Sequence, residues 1–209
     1  MLPRILEEVE GGKPKLIIRN GEGKRCPYFF ADSPIARRLS GLSQIMHDLE
    51  HAKELMNLID TIESSEIGYS LWMAAIVTYG KCFASAKGRR IKLEIEHVRK
   101  FNPDAVNYHN ALIELRNEYF AHAGSNDYEL SNVGIILAPE EDGREVLWAN
   151  HVTVKKSSIS QEERILFCGL CDGLFNVVEE IVEEVHERVL HEYREMDIDE
   201  LYERAQNIT

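Results

Sequence analysis

Apolar residues recur at intervals of three or four positions along most of the chain, which is the spacing of one buried face of a helix. Asp32 and Ser33, followed by Pro34, form a typical helix start, because a short polar side chain caps the first turn and proline fits its first position. Similar signals precede the later apolar stretches. The predicted helices span residues 34–62, 66–86, 103–123, 160–196 and 197–206.

Two of these helices carry more specific predictions. The 66–86 helix is apolar almost all round, which is typical of a helix buried on every side. The 160–196 helix should instead bury a single stripe. That predicted stripe consists of Ile165, Leu166, Leu170, Leu174, Val177, Val178, Ile181, Val185 and Val189.

Two segments have strand-forming sequences. Within an otherwise irregular N-terminal segment, residues 1–30, a short strand is predicted at residues 15–19. Residues 130–154 are β-rich on both sides of Asp142 and Gly143, which predicts an inserted hairpin with this pair in its turn. The whole chain, 1–209, is therefore predicted to be one mainly all-α domain, an antiparallel helical bundle with one inserted β-hairpin.

Composition favours a globular protein of the cytoplasm. Hydrophobic residues make up 44% and charged residues 29% of the chain. We find no signal peptide at the start, and the longest apolar run, residues 67–80, is too short to cross a bilayer. We therefore expect cytoplasmic localisation and no membrane association.

The four cysteines, at positions 26, 82, 168 and 171, are predicted to be reduced thiols, because a chain of this size and apolar content does not need disulfides. Cys168 and Cys171 form a CxxC pair, but no second pair or βαβ context accompanies them. Core thiols are favoured over a metal or redox pair, and no cofactor or metal is predicted.

The net charge of −12 argues against general binding to nucleic acids, but the charges are unevenly distributed. Residues 160–200 contain 13 acidic and 3 basic side chains, a net charge of −10. Residues 81–100 contain 7 basic and 2 acidic side chains, a net charge of +5. Lys81, Arg89 and Arg90 in this basic segment are candidates to bind phosphates. The alternative is that the segment is only a solvated, positively charged loop.

The third predicted helix ends in the sequence Arg116-Asn117-Glu-Tyr-Phe-Ala-His122, followed by Gly124 in a position suited to end the helix. RNA carries its own nucleophile, the 2′-hydroxyl, so its cleavage needs proton transfer and a positive charge near the phosphate. Histidine transfers protons near neutral pH, and arginine can bind two phosphate oxygens at once. The segment therefore contains the groups that metal-independent RNA cleavage requires.

This segment resembles the motif of the HEPN superfamily: Arg, a residue that is often Asn, Asp or His, four to six further residues, and then His. The stretch Tyr79-Gly-Lys-Cys-Phe83, in a buried helix ahead of a basic turn, is similar to the abortive-infection branch of that superfamily. The resemblance covers residues 34–124, and residues 160–195 would complete the bundle.

The resemblance implies a metal-independent endoribonuclease, a toxin or a defence or stress protein, with RNA as its substrate. It also implies a homodimer in which the two motifs face each other, and an antitoxin or nucleotidyltransferase partner. Some members carry a tyrosine two residues after the motif histidine, which such a transferase modifies. Gly124 occupies that position here, so the sequence does not support this form of regulation.

Arg116, Asn117 and His122 are accordingly the predicted catalytic residues, with Asn117 orienting His122 or a phosphate oxygen. On an α-helix Arg116 and His122 would lie about 9 Å apart along the axis and about 120° apart around it, so a dimer or a frayed helix end is needed to bring motif groups together. Tyr79 and His109 are predicted to contribute to substrate binding, and His109 shares a helix face with Arg116.

A structural interpretation of the motif remains open. Arg116 could simply pair with Glu114 or Glu118, while His122 interacts with the negative end of the helix dipole. The chain would then be a catalytically inactive HEPN-fold interaction or scaffold protein.

A second motif predicts different chemistry. His47, Glu50 and His51 match the H-x-x-E-H pattern of inverted zinc proteases, with Glu129 as a nominal third ligand. A solvated helix face is the favoured interpretation here, and also for His186 and His191 in their acidic surroundings.

Overall fold

The computed structural model describes residues 4–10, 13–85, 88–120, 129–155 and 159–206. These residues are mostly helical, which confirms the predicted mainly all-α class. The helices are α1 (Pro34–Leu58), α2 (Ser65–Lys81), α3 (Ile95–Phe101), α4 (Val106–Glu114), α5 (Gln161–Arg194) and α6 (Ile198–Gln206). The strands are β1 (Arg4–Glu10), β2 (Lys13–Arg19), β3 (Glu129–Leu137) and β4 (Val146–Lys155).

Helix α1 begins where the sequence predicts. The Ser33 hydroxyl accepts a hydrogen bond from the Ala36 backbone amide at 3.2 Å, so it satisfies one of the amides that a first turn leaves open. A short 3-10 helix, Ile59–Thr61, continues α1 past Leu58. Leu42, Ile45 and Leu49 are buried, as the apolar spacing predicts.

Helix α2 is capped by Ser64, whose hydroxyl accepts from the Ile67 amide at 3.4 Å. It ends at Lys81, several residues before the predicted end. The basic segment that follows is not a simple loop, because it contains the short helix α3, which the sequence analysis missed. Leu93 and Val98 anchor this segment in the core.

The predicted 103–123 helix is not uniform. Asn102 caps a 3-10 turn, Pro103–Ala105, by accepting from the Asp104 amide at 3.0 Å. Helix α4 follows, and the chain then continues as a π-helix, Leu115–Phe120. The prediction of a continuous α-helix is therefore wrong between Leu115 and Phe120.

Helix α5 confirms the long predicted helix. Ser160 and Glu163 cap it reciprocally: the Ser160 hydroxyl accepts from the Glu163 amide, and the Glu163 carboxylate accepts from the Ser160 amide. The predicted stripe is wrong at its start, because Ile165 and Leu166 are exposed whereas Phe167 is fully buried. The later positions Leu170, Leu174, Val177, Val178 and Val185 are buried as predicted.

The strands form two antiparallel hairpins. β2 confirms the strand predicted at residues 15–19, whereas its partner β1 was not predicted. β3 and β4 confirm the inserted hairpin. Gly143, in the connection between them, has a φ of 109°, a conformation that glycine adopts without the steric cost of a side chain.

Contacts within the chain define two compact units. One comprises Met1–Leu39 with Glu183–Thr209, and the other comprises Ser40–Val182. The second unit contains the motif region and most of the buried side chains, including Ile76, Tyr79, Leu93 and Phe167. Among the described residues, no helix combines the length and the apolar character that a bilayer crossing requires.

Candidate functional site

The motif region is built on the π-helix that follows α4. A π-helix has i→i+5 hydrogen bonds, is rare, and often occurs at functional sites. Arg116 and Asn117 are consecutive residues of it, and the Arg116 Nη1 donates a hydrogen bond to the Asn117 Oδ1 at 2.9 Å. Asn117 thus fixes one end of the guanidinium group. His122, the third motif residue, lies outside the described residues, as does Gly124.

Helix α2 supplies the surface on which the Arg116 side chain lies. A β-carbon built at Gly80 would overlap the Arg116 Cδ, so the arginine passes directly over the glycine backbone. The Arg116 Nε is buried and has no hydrogen-bond partner among the described residues. A buried donor without a partner costs free energy.

Tyr79 and His109 form the next contact between α2 and α4. The Tyr79 hydroxyl and the His109 Nδ1 are 2.8 Å apart, and both residues are buried. Phe83 packs on both rings, and Phe167 packs on the Tyr79 ring. Burial lowers the pKa of His109 and raises the pKa of Tyr79, so both side chains are held neutral. His109 therefore acts here as a polar group of the core.

Lys81 and Arg89 meet at Asp48 of α1. The Lys81 Nζ lies 3.1 Å from one Asp48 carboxylate oxygen, and the Arg89 guanidinium pairs with the other. The Arg89 side chain is only 10% exposed, whereas that of Lys81 is 53% exposed. Arg89 thus lies in a largely buried ion pair instead of on an open surface. Arg90 is exposed and has a φ of 60°.

The last turn of α2 connects all of these groups. Tyr79 contacts His109, Gly80 contacts Arg116, and Lys81 contacts Asp48. The sequence analysis selected most of these residues but missed Gly80 and Asp48. A glycine inside an otherwise apolar helix is a signal for close packing, and it could have identified Gly80.

The alternative zinc motif lies on the surface of α1. His47 and His51 are exposed and their rings stack with centroids 6.4 Å apart. The search of the described residues found no group of side chains arranged to hold a metal ion. Glu129 begins β3, and nothing further is described for its side chain.

The two cysteines of the CxxC pair differ in their surroundings. Cys171 is buried, and burial raises its pKa well above that of an ordinary thiol. The Cys168 thiol is partly exposed and lies 3.4 Å from the Asn57 Oδ1. All four cysteines are free thiols, as predicted.

Comparisons of the sequence with protein-family models and curated proteins, and of the structure with solved structures, gave no match.

Proposed function

We propose that this chain is a metal-independent endoribonuclease of HEPN type, acting as a toxin or in defence or stress. The observation that carries the proposal is the position of Arg116. The aliphatic part of its side chain lies over Gly80, and Asn117 accepts a hydrogen bond from one end of its guanidinium group. Its buried Nε has no hydrogen-bond partner among the described residues. A guanidinium group held in one position is suited to stabilise the negative charge that develops on a phosphate during cleavage.

The proposed chemistry divides the steps between two residues. The 2′-hydroxyl of RNA attacks the adjacent phosphorus, and the 5′-oxygen leaves. His122 is proposed to take the proton from the 2′-hydroxyl and to deliver a proton to the leaving 5′-oxygen, while Arg116 holds the phosphate oxygens. Asn117 is a positioning residue, because in the structure its side chain contacts Arg116. The proposal includes a homodimer that brings two motifs together, and an RNA substrate in the cytoplasm.

The test is RNA cleavage by the purified chain in the presence of EDTA. The products should carry 2′,3′-cyclic phosphate or 3′-phosphate ends. His122→Ala should lower the rate by about 10²–10⁴-fold, because one positioned proton carrier contributes about that much. Arg116→Lys keeps the charge but loses the planar donor group, and it should also lower the rate strongly.

Arg204→Ala is a matched control, because Arg204 is an exposed arginine outside the basic segment that pairs with Glu200 on α6. It should leave the cleavage rate unchanged. If the His122→Ala chain cleaves RNA as fast as the wild type, or if EDTA abolishes cleavage, the proposal is wrong.

The second candidate is a catalytically inactive HEPN-fold interaction or scaffold protein. The same contact favours it, since Arg116 packed on Gly80 joins the π-helix to α2 and can stabilise the fold without any catalysis. In that case Arg116→Lys should lower the free energy of unfolding, and the wild-type chain should not cleave RNA.

A further inference from the structure

The hairpin formed by β3 and β4 exposes many large apolar side chains. β3 and β4 pack mainly on each other. Seven of their residues are between 42% and 69% exposed, namely Val133, Ile135, Ile136, Leu137, Val146, Leu147 and Trp148. An isolated two-stranded hairpin is at best marginally stable in water. A hairpin this apolar is therefore expected to be covered by another surface.

The strand register sorts these side chains between the two faces. Val133, Ile135 and Leu137 alternate along β3 and so share one face. Their partners on β4 are His151, Ala149 and Val146, in that order. The other face contains the Ile136–Trp148 and Asn132–Val152 pairs, with Gly134 and Asn150 between them, so it is also partly apolar. We call the face with Val133, Ile135, Leu137, Val146 and Ala149 the apolar face.

The distribution of charge indicates what covers the apolar face. Residues 132–138 and 146–154 contain no Asp, Glu, Lys or Arg, although 29% of the whole chain is charged. The charges of this region lie in the connection between the strands and at the strand ends. A partner that binds through opposite charge would find no charged side chain to pair with in these two stretches. Two copies of a chain with net charge −12, in contrast, can meet here without like charges facing each other.

The exposed area also suits a second copy. Each of the four large side chains of the apolar face exposes about 100 Å². Burying that area gives about the free energy that is usually gained when a Val, Leu or Ile side chain is buried. Together they supply about 400 Å² of apolar surface. A standard interface takes about 800 Å² from each partner, of which a little over half is apolar. Pairing the strand edges instead would leave this face in water, so packing face to face is favoured.

We propose that the apolar face of the β3–β4 hairpin is a self-association surface, on which the same face of a second copy packs about a two-fold axis. This inference does not depend on the proposed ribonuclease activity. The residues involved lie outside the motif, so the hairpin variants and the motif variants test the two proposals separately, although a wild-type monomer would contradict the homodimer in both.

The experiment measures the mass of the full chain by sedimentation and light scattering. The wild-type chain should form at least a dimer, with twice the 24.0 kDa mass of one chain. Ile135→Lys places a charge in the centre of the apolar face, between Val133 and Leu137. It should weaken association by about 100-fold or more and halve the wild-type mass.

Asn150→Lys is the matched control, because it adds the same charge to the same hairpin on the opposite face. It should leave the mass unchanged. Ile135→Thr/Leu137→Thr provides a milder test that preserves strand-forming side chains, and it should also weaken association. The helical circular dichroism of each variant reports whether the remainder of the chain is folded.

Three results would overturn the proposal: a wild-type monomer at tens of micromolar, an Ile135→Lys chain with the wild-type mass, or an Asn150→Lys chain that dissociates equally. RNA cleavage is measured on the same samples. A variant that has a lower oligomer mass than the wild type and still cleaves RNA would show that cleavage does not need this surface.

Discussion

The Arg116 side chain lies directly over the backbone of Gly80, with no room for a β-carbon between them. The contact joins the motif-bearing π-helix to the last turn of α2. It also explains why a glycine occurs at a buried position of α2, where alanine would otherwise be more favourable. Helix α2 as a whole is not buried on every side as predicted, because Ile67 is exposed. The position of the candidate catalytic arginine therefore depends on the absence of a side chain on a different helix.

Gly80→Ala tests this relationship. The added methyl group must displace Arg116, so the free energy of unfolding should fall by about 1–3 kcal/mol, the usual cost of overpacking. Under the proposed function, the rate of RNA cleavage should fall as well. The measurements are urea denaturation and RNA cleavage.

Gly169→Ala is the matched control for Gly80→Ala. Gly169 lies in α5 with nothing near the position of an added β-carbon, so the substitution should stabilise the helix by about 0.5–1 kcal/mol. If Gly80→Ala behaves in the same way as Gly169→Ala, Arg116 is not confined as described.

Asp48→Asn should destabilise the protein strongly. Asp48 binds both Lys81 and the nearly buried Arg89, and removing one partner of a largely buried pair usually costs about 3–5 kcal/mol. Glu96→Gln breaks an exposed pair with Arg99 and should cost less than about 1 kcal/mol. Equal unfolding free energies for these two variants would show that the Asp48 cluster is not a structural ion pair.

His109 should make stability depend on pH. Burial lowers the pKa of its imidazole below the ordinary value of 6.5. The contribution of the neutral ring to stability is thus fully present above pH 6.5 and decreases below it. It is lost once the pH falls through the lowered pKa that His109 has in the folded protein. Urea denaturation at about pH 7.5 and about pH 5.5 should show the wild type weakened at the lower pH.

A double variant separates His109 from the other titrating groups. Tyr79→Phe/His109→Phe removes both partners of the buried hydrogen bond, so neither is left unsatisfied. Its loss of stability between the two pH values should be smaller than that of the wild type. His51→Gln, at an exposed position, should keep the wild-type dependence. An unchanged dependence in the double variant would contradict the assignment to His109.

Arg90→Ala tests the basic segment as an RNA contact. Arg90 is exposed, unlike Arg89, so its loss should change stability by no more than about 0.5 kcal/mol. If Arg90 contacts a phosphate, the slope of log affinity against log salt should decrease by about 0.7 for single-stranded RNA. Arg204→Ala removes an arginine on α6 that pairs with Glu200, and it should leave the slope unchanged. If Arg90→Ala has the wild-type slope, Arg90 does not contact a phosphate of the RNA.

The sequence alone determined the parts of the fold that depend on neighbouring residues. The caps at Ser33, Ser64, Asn102 and Ser160 occur where polar residues precede apolar stretches, because a cap is formed by side chains and amides two or three positions apart. The hairpin at β3 and β4 followed from strand-forming residues on both sides of a turn. The pairing of β1 with β2 was missed, because the segment before residue 15 lacks a clear strand pattern.

Only the tertiary structure decided the surroundings of the candidate site. Arg116 meets Gly80, Arg89 meets Asp48, and Tyr79 meets His109 across separations of about 30 to 40 residues, which no local pattern encodes. The conversion of the motif helix to π geometry likewise occurs where it packs against α2. Local sequence selects helices and caps through short-range hydrogen bonds, whereas the partner of a buried polar group depends on how distant helices pack.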